Sequence, residues 1–307
     1  MTFVGAVVIV LAEGSENTVS DGASYVFASA EEDEPNSAIF SKADLTISGG
    51  GSLAVNGNYL DGISSKDGLI IAGGSLTVTA VDDGMRGKDY LVVENGSLTV
   101  SAGGDGLKAD NAEDASLGYI AISGGVGQVT AGGDAINAQT DVSISGGTFA
   151  LSSGGGSAAR VDESVSAKGI KGAVSVTIDG GSLSIDAADD ALHSNGSVTI
   201  NAGELNLASG DDGAHADQTL AINGGDITVA KSYEGLESAV IAINAGTIRV
   251  TASDDGVNVA GGMDGSGMMP GGRPGGGDTF NYTGDNYLYI NGGYLYVDAR
   301  GDGIDVN

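Results

Sequence analysis

At 307 residues the chain is long enough for one large domain, and 55 glycines against 3 prolines exclude a collagen. A hydrophobic content of 41% excludes a disordered polyanion, and the absence of cysteine excludes disulfides and thiolate metal or redox centres. The 41 acids outnumber 12 bases, for a formal charge of −29, so nucleic acid and anionic lipid surfaces are poor partners and a compact fold needs compensating cations.

The opening run MTFVGAVVIVLA is apolar like a signal core. It has no basic residue and no small-residue cleavage site, and it is too short to span a membrane. It predicts a first strand over 4–11 and no membrane insertion.

A module then recurs down the chain: apolar-x-apolar, a glycine pair, apolar-x-apolar, and Asp-Gly-apolar. LIIAGGSLTVTAVDDGM (69–85), VSVTIDGGSLSIDAADDAL (174–192), LAINGGDITVAKSYEGL (220–236) and LYINGGYLYVDARGDGI (288–304) are good copies. The acid before Gly or Ala anchors each copy: Asp61, Asp83, Asp105, Asp134, Asp190, Asp212, Glu234, Asp255 and Asp302, with Gly156 in the slot of one degenerate copy. The spacings are 22, 22, 29, 22, 34, 22, 22, 21 and 47. From the last apolar residue of the first strand to the anchor the distance is 12 in nine of ten copies, which predicts that one corner takes every insertion.

Three strands of four or five residues with short turns consume roughly 22 residues. The predicted fold is therefore all-β: a right-handed parallel β-helix of about ten or more coils. It forms a single domain over 1–307, with a Gly/Met/Pro-rich insertion at 261–286. Alternation places Ile71, Leu76 and Val78 inside and Thr77 outside. Gly-Gly, Asn-Gly and Ala-Gly pairs supply positive φ at the first corner. A propeller needs about 40 residues per blade, and the nonapeptide of a calcium-binding roll is missing. The chain starts within an apolar strand and stops mid-coil, so it is expected to be a piece of a longer molecule, since solenoids end in polar caps.

Parallel stacking puts the anchor acids in one column, where neighbours about 4.8 Å apart repel by roughly 3.5 kcal/mol at an effective dielectric of 20. A single Asp-Gly is accounted for by turn chemistry. The doublets Asp82/Asp83, Asp189/Asp190, Asp211/Asp212 and Asp254/Asp255, together with Asp105, are the candidate metal ligands. An oxygen-only set suits calcium. Three residues past the anchors stand Ser64, Arg86, Lys108, Asn137, His193, His215, Glu237, Asn258 and Asp305, a predicted solvent-facing row beside the acids. Arg86 and Lys108 in this row are candidate sugar contacts. His193 and His215 stack; two histidines make a thin case for a soft-metal site, and solvent-facing turn residues are the preferred account. Lys88 near Asp82/Asp83 is the candidate base of a calcium-assisted lyase, against the plainer reading of a surface lysine. Tyr289, Tyr294 and Tyr296 alternate with aliphatics and either form a sugar-stacking platform or pack under the 261–286 insertion.

The runs DEPNSAIFSKADLTISGGGSLAVNGNYLDGI (33–63), DDALHSNGSVTI (189–200), GDDGAHAD (210–217), KSYEGLESA (231–239) and GGMDGSGMMPGGRPGGGD (261–278) together resemble the bacterial carbohydrate-binding β-helix proteins, whose fold is similar to the family 9 polysaccharide lyases. The resemblance implies a secreted or surface protein, bound calcium, and affinity for cellulose and acidic pectic chains. Gly156, where an acid is lost, departs from the pattern.

The first expectation is thus a calcium-dependent extracellular polysaccharide-binding protein without catalysis, monomeric or weakly self-associating. A calcium-assisted lyase and a calcium-stabilised scaffold or adhesin spacer are the alternatives. Ice binding is set aside because the outward row Thr77, Thr99, Ser184, Thr228, Arg249, Tyr296 is irregular.

Overall fold

The computed structural model describes residues 5–27, 29, 34–162, 165–260 and 286–306. Among them there is no helix long and apolar enough to cross a membrane. The chain is all-β, and every strand pairing among the described residues is parallel. Each repeat contributes a strand to each of three faces. The first face includes Gly68–Ile71 and Tyr90–Val93, the second Ser75–Ala80 and Ser97–Ala102, and the third Met85–Gly87 and Leu107–Ala109. Each strand pairs with its counterpart in the next repeat: Leu69 with Leu91, Leu76 with Leu98, Met85 with Leu107. The second face is an eleven-stranded sheet. The first and third join in a twenty-stranded one, because Ala214–Ile222 and Leu236–Ile243 run from the third face into the first without a break.

Alternation decides which side chains are buried. Leu76, Val78 and Ile71 are 1% exposed or less, while Thr77 lies on the surface. Equivalent residues of successive repeats stack, so the core is a set of aliphatic columns, each fully buried Leu, Ile or Val contributing about 1.5–3 kcal/mol. The columns compensate locally. Gly127 stands where neighbouring repeats carry Leu98 and Phe149, and the Phe149 ring fills the space, 2.5 Å from where a Cβ would lie.

The first corner, between the first and second faces, is closed by three residues in each described repeat from Ile71 onward. Its last residue is a glycine at positive φ, as at Gly74 (94°) and Gly181 (92°), the conformation expected from the glycine pairs. Side chains reinforce this corner. Asn291, Asn244, Asn223 and Asn201 each donate an amide N–H to the residue one repeat earlier, over 2.7–2.8 Å, ending on Asp179.

The expectation that one corner takes all insertions fails. Residues 110–118 do lie between the third and first faces, but 154–169 and 21–36 lie between the second and third. The cause is the degenerate repeat. Ile136 pairs with Ile170, so the anchor after Asp134 is Lys168, not Gly156, which sits in the insertion. The 261–286 insertion falls, but for its last residue, outside the described residues. The expected first strand is observed as Ala6–Leu11.

Candidate functional site

The third face carries two neighbouring columns. The first contains the anchors, and stacking turns most of their carboxylates toward the backbone of the following repeat. Asp105 N–H donates to Asp83 Oδ1 (2.9 Å), Asp134 N–H to Asp105 Oδ1 (2.8 Å), Lys168 N–H to Asp134 Oδ1 (2.7 Å) and Asp212 N–H to Asp190 Oδ1 (3.0 Å). The turn chemistry expected of Asp-Gly is therefore present, but between repeats. Asp61, Asp83, Asp105, Asp134, Asp190 and Asp212 are buried, and in all of them but Asp212 one carboxylate oxygen serves the backbone, so the other needs a counter-charge.

The second column supplies much of it. Ser64, Arg86, Lys108, Asn137, Lys171, His193, His215, Glu237, Asn258 and Asp305 are register partners in sequence. Lys108 Nζ bridges Asp83 (2.9 Å) and Asp105 (3.0 Å). Arg86 binds Asp110 at 2.6 Å and lies 3.9 Å from Asp61, and Lys171 lies 3.7 Å from Asp134. Burial depresses the Lys108 pKa, but Asp105 and Asp83 more than offset it and hold the ammonium above its ordinary range. Arg86 and Lys108, candidate sugar contacts by sequence, are thus engaged with acids of their own chain.

Lys168 completes this pattern from inside the anchor column. Its ammonium is buried and sits 2.9 Å from Asp189 and 2.8 Å from Asp190. Burial raises the Asp190 pKa, while Lys168 and His193 lower it further, for a net fall below the carboxylate range. The signal for Lys168 was in the sequence: Lys168-Gly169-Ile170 is the anchor motif with a base in place of the acid.

Acids whose nearest cation is farther off, or missing among the described residues, respond differently. Asp61 is pushed up to about 7, first by burial and then by the charge of Asp83, and its Oδ2 is a buried atom without a hydrogen-bond partner. Asp61, Asp82 and Asp83 form one oxygen-only group whose nearest ligand atoms lie within 4.8 Å of one another, with Asp82 open to solvent. Asp189, Asp190 and Asp211 form a second, shared with Lys168. Asp254 and Asp255 are half-buried, and Asp255 is raised by burial and then by its acidic neighbours, Asp254 first. Glu234, buried beside Glu237, is pushed up to about 8 by that burial and that charge. These groups suit a hard cation.

His193 and His215 are not solvent-facing as expected: they are 6% and 2% exposed, with rings stacked 5.0 Å apart at 9°. His193 Nδ1 lies 2.7 Å from Asp190. His215 Nδ1 lies 3.1 Å from Asp212 Oδ2 and 2.9 Å from Glu237 Oε2, and its Nε2 lies 3.0 Å from Asp217 Oδ1. The anchor-plus-three spacing placed both rings on the right column. It missed their burial because the rings stack on each other and are enclosed by acids of their own and the next repeat, Asp190, Asp212, Asp217 and Glu237.

Lys88 pairs with Glu113 of the 110–118 segment at 3.7 Å. It stands five residues past Asp83 across an extended strand, on the order of 16 Å. Tyr289, Tyr294 and Tyr296 point outward, 48–53% exposed, and Tyr287 stacks on Tyr289 with centroids 5.9 Å apart. Tyr289 belongs to the first face, Tyr294 and Tyr296 to the second, and the Arg249 guanidinium lies 5.8 Å over the Tyr294 ring. The alternative, that these rings pack under the insertion, concerns residues outside those described. Sequence reasoning missed a second outward stack, Tyr90 on Tyr119 (5.6 Å, 19°), whose signal is the shared register of the two residues.

A family model described as carbohydrate-binding domain-containing protein matches residues 2–213. A curated carbohydrate-binding domain-containing protein of Acetivibrio thermocellus is 42% identical over 72 residues, 24% of this chain and 25% of that protein. A solved structure described as the polysaccharide lyase-like protein from C. thermocellum, gadolinium derivative, is 29% identical with a TM-score of 0.48, over 64% of this chain and 65% of that one. The match thus spans a quarter of the curated relative and less than two thirds of the solved one.

Proposed function

We propose that this chain, which belongs to the carbohydrate-binding domain-containing family, is a calcium-dependent polysaccharide-binding protein of the cell exterior, built as a right-handed parallel β-helix and lacking catalysis. The observation that carries the reading is the group Asp61, Asp82 and Asp83, where buried and solvent-open carboxylates meet within 4.8 Å. Its ligands are all oxygen and one buried oxygen lacks a partner, the donor chemistry that calcium takes. A cation held there with an open side can accept the carboxylate of a polyuronate, which an anionic protein otherwise repels. Neutral glucans would use the exposed tyrosines, whose faces stack on sugar rings.

The test is polyuronate and cellulose binding by the whole chain, in calcium and then in EDTA, with absorbance recorded for unsaturated uronate. Polyuronate binding that requires calcium and leaves the polymer intact supports the reading. Unsaturated product that vanishes in Lys88→Ala would establish a lyase instead, and calcium-dependent melting without sugar affinity would leave a scaffold.

A further inference from the structure

The group around His215 differs in chemistry from the oxygen-only sets, and it is buried where they are partly open. Asp212 is 0% exposed, His215 2% and Glu237 6%. Asp212 and His215 come from one repeat, whereas Glu237 is the register partner of His215 in the next. Their nearest ligand atoms lie within 4.8 Å of one another.

The orientation of the ring is set on two sides. The stack on His193 fixes its plane, and Asp217 Oδ1, 3.0 Å from Nε2, accepts the N–H there. Nδ1 is then directed at two carboxylate oxygens, 3.1 Å and 2.9 Å away. A single N–H at this atom cannot make two straight hydrogen bonds, and with all three acids ionised it would leave two net negative charges among them. A dication with neutral imidazole leaves one. Asp212 Oδ1, moreover, is buried with no hydrogen-bond partner.

The geometry points to a site for a divalent transition metal of the zinc class, with Asp212, His215 and Glu237 as ligands and Asp217 orienting the imidazole from behind. Zinc bonds of 2.0–2.2 Å at tetrahedral angles separate ligand atoms by about 3.3 Å, a few tenths more than the distances found. The Asp217–His215 contact is the carboxylate–histidine arrangement that raises ligand basicity at such centres. Imidazole nitrogen selects against calcium, which takes oxygen, so this site and the Asp61 group would hold different ions.

The test uses the whole chain stripped with chelator, titrated with zinc by calorimetry and with cobalt(II) by visible absorption, with calcium as the comparison. The expected result is one cobalt centre with the visible bands of a low-coordinate nitrogen–oxygen site, displaced by equimolar zinc and not by millimolar calcium. His215→Gln and Glu237→Gln lose it to background, and Asp217→Asn weakens zinc about 10- to 100-fold. If His215→Gln does not fold, the near-isosteric Glu237→Gln and Asp217→Asn carry the same decision. No cobalt band in the native chain, zinc affinity unchanged in the folded variants, or displacement by calcium overturns the assignment. Polyuronate binding in zinc-free calcium buffer is expected to be unchanged in Glu237→Gln, so failure here is distinguishable from failure of the polysaccharide reading.

Discussion

Lys168 and Asp190 occupy the same position in successive repeats and are joined by an ion pair of 2.8 Å within the buried anchor column. The chain thus places a cation inside its own line of acids. Lys168→Met removes the charge and leaves Asp189 and Asp190 without their ammonium, so stability should fall by about 3–5 kcal/mol, read from the urea midpoint. Lys168→Asp should be worse in EDTA, and should regain more with added calcium than the native chain does.

The buried acids without a close cation predict the pH response. Asp61, raised to about 7, and Glu234, raised to about 8, hold protons in the folded chain that the unfolded chain has already released. Between ordinary carboxylate values near 4 and these raised ones the folded state binds more protons, so stability in EDTA should fall as pH rises from 5 to 8. Calcium competes with those protons, so its stabilisation should be larger at pH 8 than at pH 5. Melting curves at the two values, with and without calcium, check both signs.

A packing relationship predicts a paired effect. A Cβ on Gly84 would lie 2.4 Å from Val100 Cγ1, and Gly62, Gly106 and Gly169 meet Val78, Val129 and Ile185 in the same way. In the two repeats with alanine in this slot, Ala135 and Ala191, the residues in register with those β-branched ones are Leu151 and Leu207. Gly84→Ala should therefore cost about 1–3 kcal/mol, and Val100→Leu should recover much of it, a coupling that a double-mutant cycle in urea measures.

The two proposed sugar surfaces should separate by mutation. Tyr294→Ala should lower cellulose affinity about 2- to 10-fold and leave calcium-dependent polyuronate binding in place. Asp82→Asn should do the reverse. Pull-down isotherms on both polymers give the comparison.

The repeat, the inward residues, the glycine corners and the acid column were all legible in the sequence, because period-two alternation and a 22-residue spacing are local signals. Lys168 was masked: its Lys-Gly-Ile motif is there, but its distance from Ile144 is lengthened by the insertion, and Gly156 happens to fall at the ordinary one. The burial of His193 and His215 was not legible, since it depends on the neighbouring ring and on acids of the same and the next repeat. Counter-charges such as Lys168 and Lys171 lie in or beside an insertion that the period does not index, so the sequence overstated how much of the column's charge is left for external cations.

The insertion 154–169 separates Ser153 from Ile170, yet both stay in register with their counterparts. Repeat length is therefore free at that corner while pairing is not, and a foreign peptide grafted there should be carried without disturbing the stack. At the first corner the tolerance is narrower: the repeats from Ile71 onward all close it with three residues, and the one extra residue between Ile47 and Leu53 falls in Gly49-Gly50-Gly51, leaving Leu53 buried and in register with Leu76. The protein can thus be lengthened freely from two of its edges, while at the third an added residue has to be taken up by glycine.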